Sequence, residues 1–183
     1  MKYRWWIVIA IVLFAAGLAF GLADPGNIAS LLSQELISLE ELSGILAPFT
    51  FTMFIFIFIK NVVTLLFSFI FSPILAIIPV VTLFLNGWIL GLVSTMVTQQ
   101  QSLGFVLAGL LPHGVIELPA LFIGEAAALS FGIMAVTALF KKEKRGLLLP
   151  SLRQNLRYLG LALALMLPAA AIETYLTPLL VGH

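Results

Sequence analysis

The sequence predicts an all-α protein that crosses a membrane several times, with residues 1–183 forming a single integral membrane domain. Composition is the first ground: 62% of the 183 residues are hydrophobic, only 9% are charged, and mean hydropathy is +1.18. A soluble domain carries about a quarter charged residues, so this chain has too little polar surface to cover a water-facing globule. The second ground is a succession of apolar stretches long enough to cross roughly 30 Å of hydrocarbon at 1.5 Å per helical residue. The third is the uneven placement of Lys and Arg along the chain. A net charge of +1 with no basic field argues against nucleic acid as a partner. With no cysteine, disulfides, iron–sulfur clusters, thiolate zinc sites and cysteine nucleophiles are excluded.

The first apolar run is 5–23, preceded by Lys2 and Arg4. Gly21-Leu22-Ala23 loosely resembles a signal-peptide cleavage site. The run is nonetheless longer than a usual signal core, and Pro25 sits just past the cut, so it reads as a retained transmembrane helix. Residues 24–47 hold Asp24, Glu35, Glu40 and Glu41 and no Lys or Arg. Asp24-Pro25 fits an N-cap followed by N1, and Ser38 with Glu41 fits a capping box. Ile28, Leu32, Leu36, Leu39, Leu42 and Leu46 recur at helical spacing, which predicts an external amphipathic segment over about 25–46, lying on the membrane surface.

Residues 48–72 are apolar except for Lys60-Asn61 at their centre. The stretch 49–59 reaches only about 16 Å as helix, so the second span continues through that pair to about Phe71, and Pro73 ends it. The third span is 74–97, with Pro79 inside, Asn86 near its middle, and a GxxxG at Gly87 and Gly91 that lets another helix approach closely. After Gln99-Gln100-Gln101-Ser102 come nine apolar residues, 103–111, ended by Pro112. Nine residues do not cross a bilayer, which predicts a short re-entrant or interfacial helix there, ahead of a fourth span running to Phe140. Gly124, Ala128 and Gly132 give that span a small-residue ridge for packing.

Lys141-Lys142-Glu143-Lys144-Arg145 closes the fourth span, and Arg153 and Arg157 follow on an amphipathic piece begun by Pro150-Ser151. The fifth span, 159 to about 181, contains Pro168 and Glu173. The positive-inside rule places the N-terminus and the 141–158 loop in the cytoplasm, and the acidic 24–47 segment outside. Five spans then put the C-terminus outside a cell membrane. The two basic segments fall on one side, so the count and the charges agree.

The ionisable residues at membrane depth are Lys60, His113, Glu117, Glu125 and Glu173. A membrane-buried Lys costs about 2.5–3.5 kcal/mol on insertion scales, so Lys60 is expected to face the bundle, with Asn86 as a partner by depth and Glu125 as a counter-charge. The plainer alternative is that Lys60 snorkels, or caps carbonyls around the Pro73 or Pro79 kink. His113 and Glu117 are four apart and share a helix face. They read as a polar anchor between Pro112 and Pro119, as part of a proton or ion relay, or as a weak candidate pair of metal ligands. A catalytic zinc needs a third ligand, and the one other histidine is His183. No HExxH or Gly-x-Ser-x-Gly motif is present, a catalytic role is not indicated, and no cofactor is expected.

Asn61, Asn86-Gly87 and the block Pro112-His113-Gly114-Val115-Ile116-Glu117-Leu118-Pro119-Ala120 together resemble the stage II sporulation protein M family, over roughly 50–140. That family's pattern has an Asn in an early span, an Asn-Gly in the next, and Pro-His-Gly-x-x-Glu opening a later helix. It more often shows a paired Asn where this chain has Lys60-Asn61. The resemblance implies a similar five-span topology. It also implies a membrane scaffold or complex subunit, which in sporulating organisms recruits cell-wall-remodelling partners. Its partners would be the lipid bilayer, membrane or cell-wall-associated proteins, and other copies of itself, packed through the small-residue faces. The alternative is a transporter or channel-like protein that uses Lys60, Asn61, Asn86, His113, Glu117 and Glu125 as a polar intramembrane site.

Overall fold

The helices of this protein pair by direction. The computed structural model describes residues 2–23, 48–74 and 76–182, and every regular element among them is helical. α1 is Tyr3–Ala23, α2 Phe51–Phe71, α3 Ile77–Gln100 and α4 Leu103–Phe140. A 3-10 turn, Lys142–Leu147, leads into α5, Leu148–Ala171, which runs through a π-helical stretch, Ile172–Leu176, into α6, Thr177–Val181. Five helical stretches, with Lys142–Val181 counted as one, are long and apolar enough to cross a membrane. The expected fold class holds.

Two expected elements take another form. Residues 103–111 are not a separate re-entrant or interfacial piece. They are the first turns of α4, which runs on past Pro112 and Pro119 for 38 residues. Each proline removes one N–H and frees one carbonyl, a loss that helices in an apolar bundle tolerate when neighbours hold them on course. At 1.5 Å per residue α4 is about 57 Å long, far beyond the hydrocarbon thickness. Likewise, the amphipathic piece and the last span are one continuous path, with Pro150 in the first turn of α5, where no N–H is needed. The segment expected over 25–46 lies outside the described residues, as does His183.

α1 packs most extensively on α3, and α4 on α5. Gly17 lies against the Phe84 carbonyl and Gly21 against that of Trp88, while Gly87 and Gly91 meet the carbonyls of Phe14 and Leu18. A Cβ at any of these positions would collide with facing backbone, so the two helices touch through reciprocal GxxxG faces. Position numbers rise together along the contact, so α1 and α3 run the same way. α2 and α4 are also parallel: Asn61 meets Glu117, Ser68 meets Glu125, and Phe69 stacks on Phe131 with centroids 5.4 Å apart. α4 and α5–α6 are antiparallel, with Gly109 beside Val181, Gly124 beside Ala162, and Arg145 Nε donating to the Ala138 carbonyl at 3.2 Å. Tyr3 stacks on Tyr158 at 3.6 Å, which brings the starts of α1 and α5 to one end.

The small-residue ridge of α4 is consumed inside the chain. Gly124 packs on Leu65 and Ala162, Ala128 is fully buried, and Gly132 meets the Ser72 carbonyl in the α2–α3 turn. Ala76 closes that turn in the left-handed region, φ 53°, with its N–H donating to the Ser72 carbonyl at 2.9 Å. Large apolar side chains such as Phe51, Ile59, Val63, Phe67 and Ile70 on α2 face outward, as lipid-exposed positions do.

Candidate functional site

Three helical elements bring polar side chains to one place. α4 supplies His113 and Glu117, one turn apart, with Nε2 and Oε2 4.0 Å from each other. α2 supplies Asn61, mostly buried, whose Nδ2 donates to Glu117 Oε1 at 3.1 Å. The π-helical stretch supplies Glu173, and one ligand atom from each of His113, Glu117 and Glu173 lies within 4.8 Å of the others. A cavity of about 140 Å³ adjoins this cluster, lined by Asn86, His113, Gly114 and Glu117 among apolar neighbours that include Phe14 and Leu121.

The local sequence explains how Glu173 arrives. Pro178 has no N–H to give the Thr174 carbonyl, the residue four before it, and the backbone N–H of Phe49 takes that carbonyl at 3.4 Å instead. The backbone loosens to a π turn in which the Thr177 N–H bonds the Ile172 carbonyl. The Thr177 hydroxyl also donates to Ile172 O at 3.3 Å, so its oxygen takes the Nδ1 hydrogen of His113, 3.4 Å away. With the hydrogen on Nδ1, Nε2 would present its lone pair toward Glu117. π turns of this kind occur frequently at functional positions.

The sequence-based shortlist divides in two. Asn61, Asn86, His113 and Glu117 do converge on the cluster and its cavity. Lys60 and Glu125 do not. The Lys60 side chain is exposed on the outer face of α2, in a groove it shares with Thr52, Ile59, Val63 and Thr64, so it faces away from the bundle. It is no partner of Asn86, whose own amide donates to the Thr82 carbonyl at 2.8 Å. Glu125 is fully buried two turns further along α4 than Glu117 and accepts from Ser68 Oγ at 2.5 Å. It is no counter-charge for Lys60.

Glu173 is counted in the sequence among the ionisable residues at membrane depth but not in the candidate polar site, and the structure brings it there. Its signal was present: Glu117 and Glu173 lie equally far, 28 residues, from Arg145 at the turn between α4 and α5, and an antiparallel hairpin sets such positions opposite each other. Ser68 and Thr177 carried no comparable signal.

The family model described as Stage II sporulation protein M matches residues 7–178, nearly the whole chain. The chain belongs to the stage II sporulation protein M family. An uncharacterised protein of Methanocaldococcus jannaschii is 24% identical over 173 residues, covering 94% of this chain and 93% of that protein. No solved structure matches. The match extends over α1 and the Glu173 helix as well as 50–140, so all the elements that build the polar cluster lie within the part shared with the stage II sporulation protein M family.

Proposed function

We propose that this member of the family handles a small cation or polar solute inside the membrane, as a transporter or channel-like protein. The observation that carries this reading is the meeting of Asn61, His113, Glu117 and Glu173 beside a cavity, between helices whose other faces are apolar. Ionisable groups at membrane depth are costly and mark pathways or binding sites when they face one another rather than lipid. By the positive-inside rule, the N-terminus and the basic 141–147 turn face the cytoplasm of a cell-membrane protein, which puts His113 and Glu173 in the outer half of the bilayer. Flux tests the reading. Protein reconstituted in liposomes should pass cations faster than empty liposomes, and Glu117→Ala should remove most of that flux. Equal flux from the variant and the wild type sinks the reading.

A second reading is a scaffold or complex subunit, favoured by the family match over residues 7–178. The resemblance implies recruitment of membrane or cell-wall-associated proteins. Against a simple form of this reading, the Gly87/Gly91 and Gly124/Gly132 faces already pack within the chain and offer no free contact surface. Partner capture from solubilised membranes, followed by oligomer analysis in detergent, tests it. A monomer that captures no partner argues against it.

A further inference from the structure

Glu117 and Glu173 place two carboxylates side by side among apolar helices, where their repulsion is far less screened than in water. Three features show what that pair is arranged to hold. First, Glu117 is divided by its contacts: Oε1 accepts the Asn61 hydrogen bond, and Oε2, facing His113 Nε2 at 4.0 Å, accepts none from the described residues. Second, His113 Nδ1 lies 3.4 Å from the Thr177 hydroxyl, which is anchored on the Ile172 carbonyl; with the ring hydrogen assigned to Nδ1, the Nε2 lone pair turns toward the same spot. An imidazole that donates through one nitrogen to an outer partner and presents the other bare is the arrangement metal-ligating histidines adopt. Third, the adjoining cavity of about 140 Å³ has room for water ligands, at roughly 30 Å³ each.

We propose that His113 Nε2, Glu117 Oε2 and a Glu173 carboxylate oxygen form a site for one divalent first-row metal ion of the zinc or manganese kind. Two carboxylates balance the ion's two charges, and Asn61 and Thr177 hold two of the ligands in orientation. One imidazole with two carboxylates and no thiolate suits borderline and hard divalent ions rather than soft ones. Bonds of about 2.0–2.2 Å need donors roughly 3–4 Å apart. Each of the three residues offers one ligand atom within 4.8 Å of the others, so closing to that spacing would take small side-chain rotations. The proposal rests on the transport reading only in naming the ion as cargo; as a binding site it stands separately.

The test uses the full-length, tag-free chain in detergent, stripped with a chelator and titrated with zinc and then manganese. Bound metal is measured by plasma mass spectrometry after desalting. The wild type should retain about one ion per chain. His113→Asn and Glu173→Gln should each lower the affinity at least tenfold, and Asn61→Ala about tenfold to a hundredfold as the loss of an outer partner. Glu125→Gln, which alters a carboxylate bonded to Ser68 away from the cluster, should bind like the wild type. Cobalt added to the wild type should give visible absorption bands of a nitrogen–oxygen site, a readout independent of whether any variant folds. No stoichiometric zinc or manganese on the wild type overturns the proposal. Unchanged affinity in both His113→Asn and Glu173→Gln also overturns it. One ion per chain without liposome flux upholds the site and sinks the transport reading; flux of monovalent cations without metal binding does the reverse.

Discussion

Glu117 and Glu125 stand two turns apart on one helix, and their surroundings give them different work. Glu125 is fully buried, with Ser68 as the bonded partner of Oε2 and none among the described residues for Oε1. Glu125→Gln keeps the shape and the acceptor, so melting in detergent should shift by no more than about 1 kcal/mol in stability. Glu125→Ala opens a hole and strands the Ser68 hydroxyl, and should cost about 2–4 kcal/mol. Equal losses for the two substitutions would mean that the carboxylate charge, not the packing, matters there. Glu117 is only part-buried, yet removing its side chain leaves the mostly buried Asn61 amide without its acceptor. Glu117→Ala should therefore lower stability by about 1–3 kcal/mol. Gly146→Ala, whose added methyl meets open space, should stay within about 0.5 kcal/mol of wild type in the same assay. If Glu117→Ala melts like Gly146→Ala, the Asn61 contact is not a structural one.

Helix contacts set the next scale, and here the glycines decide which elements touch. Gly87→Val would press its side chain into the Phe14 carbonyl and push α1 off α3, whereas Gly160→Val meets open space. Gly87→Val should cost about 3 kcal/mol or more, at the upper end of overpacking, while Gly160→Val, where valine is the better helix former, should be neutral or stabilising by up to about 0.5 kcal/mol; comparable melting temperatures would refute the contact. The existence of the spans was legible from composition and run length alone, because a 62% hydrophobic chain has few other ways to hide its backbone. Their ends were not. Reading Pro112 as a stop gave a re-entrant piece where α4 is continuous, because sequence alone does not show which neighbours steady a proline-bearing helix. The Gly87/Gly91 face was legible as a close-packing face, but its partner at Gly17 and Gly21 was not, since reciprocity belongs to the pair of helices rather than to either one. The site was half legible for a similar reason. His113 and Glu117 share a motif, while Glu173 joins them through the hairpin and through a π turn that follows from Pro178. Deleting Tyr175, an exposed residue of that turn, should restore α-helical register and rotate the segment beyond it. A Gly109→Cys, Val181→Cys pair, whose positions are in contact across α4 and α6, should then crosslink in the full chain and poorly after the deletion. Equal crosslinking in both would show that the π turn does not set the register.

Across the whole molecule, the direction of each pairing and the distribution of charge sort the helix ends in the same way. α1 and α3 run together, α2 and α4 run together, and α4 opposes α5, so the spans alternate as a membrane path requires. Tyr3 and Trp6 share a cavity of about 570 Å³ with Lys144, Leu147 and Ser151, which places Lys2 and Arg4 at the same end as the basic 141–157 segment. Of the nine Lys and Arg residues, Lys60 alone lies away from that end. A basic end resists transfer across the bilayer, so this end should stay in the cytoplasm. The chain has no cysteine, which makes the expectation directly measurable with single introduced thiols. Gln101, exposed at the α3–α4 turn, lies at the opposite end from Gly146, exposed in the 3-10 turn. In intact cells an impermeant maleimide should label Gln101→Cys and leave Gly146→Cys unmodified until the membrane is permeabilised. The reverse pattern would invert the protein and place His113 and Glu173 in the inner half of the bilayer, so that any ion they hold would enter from the cytoplasm. Labelling of both thiols in intact cells would break the alternation itself, because α4 joins the two turns and must then fail to cross.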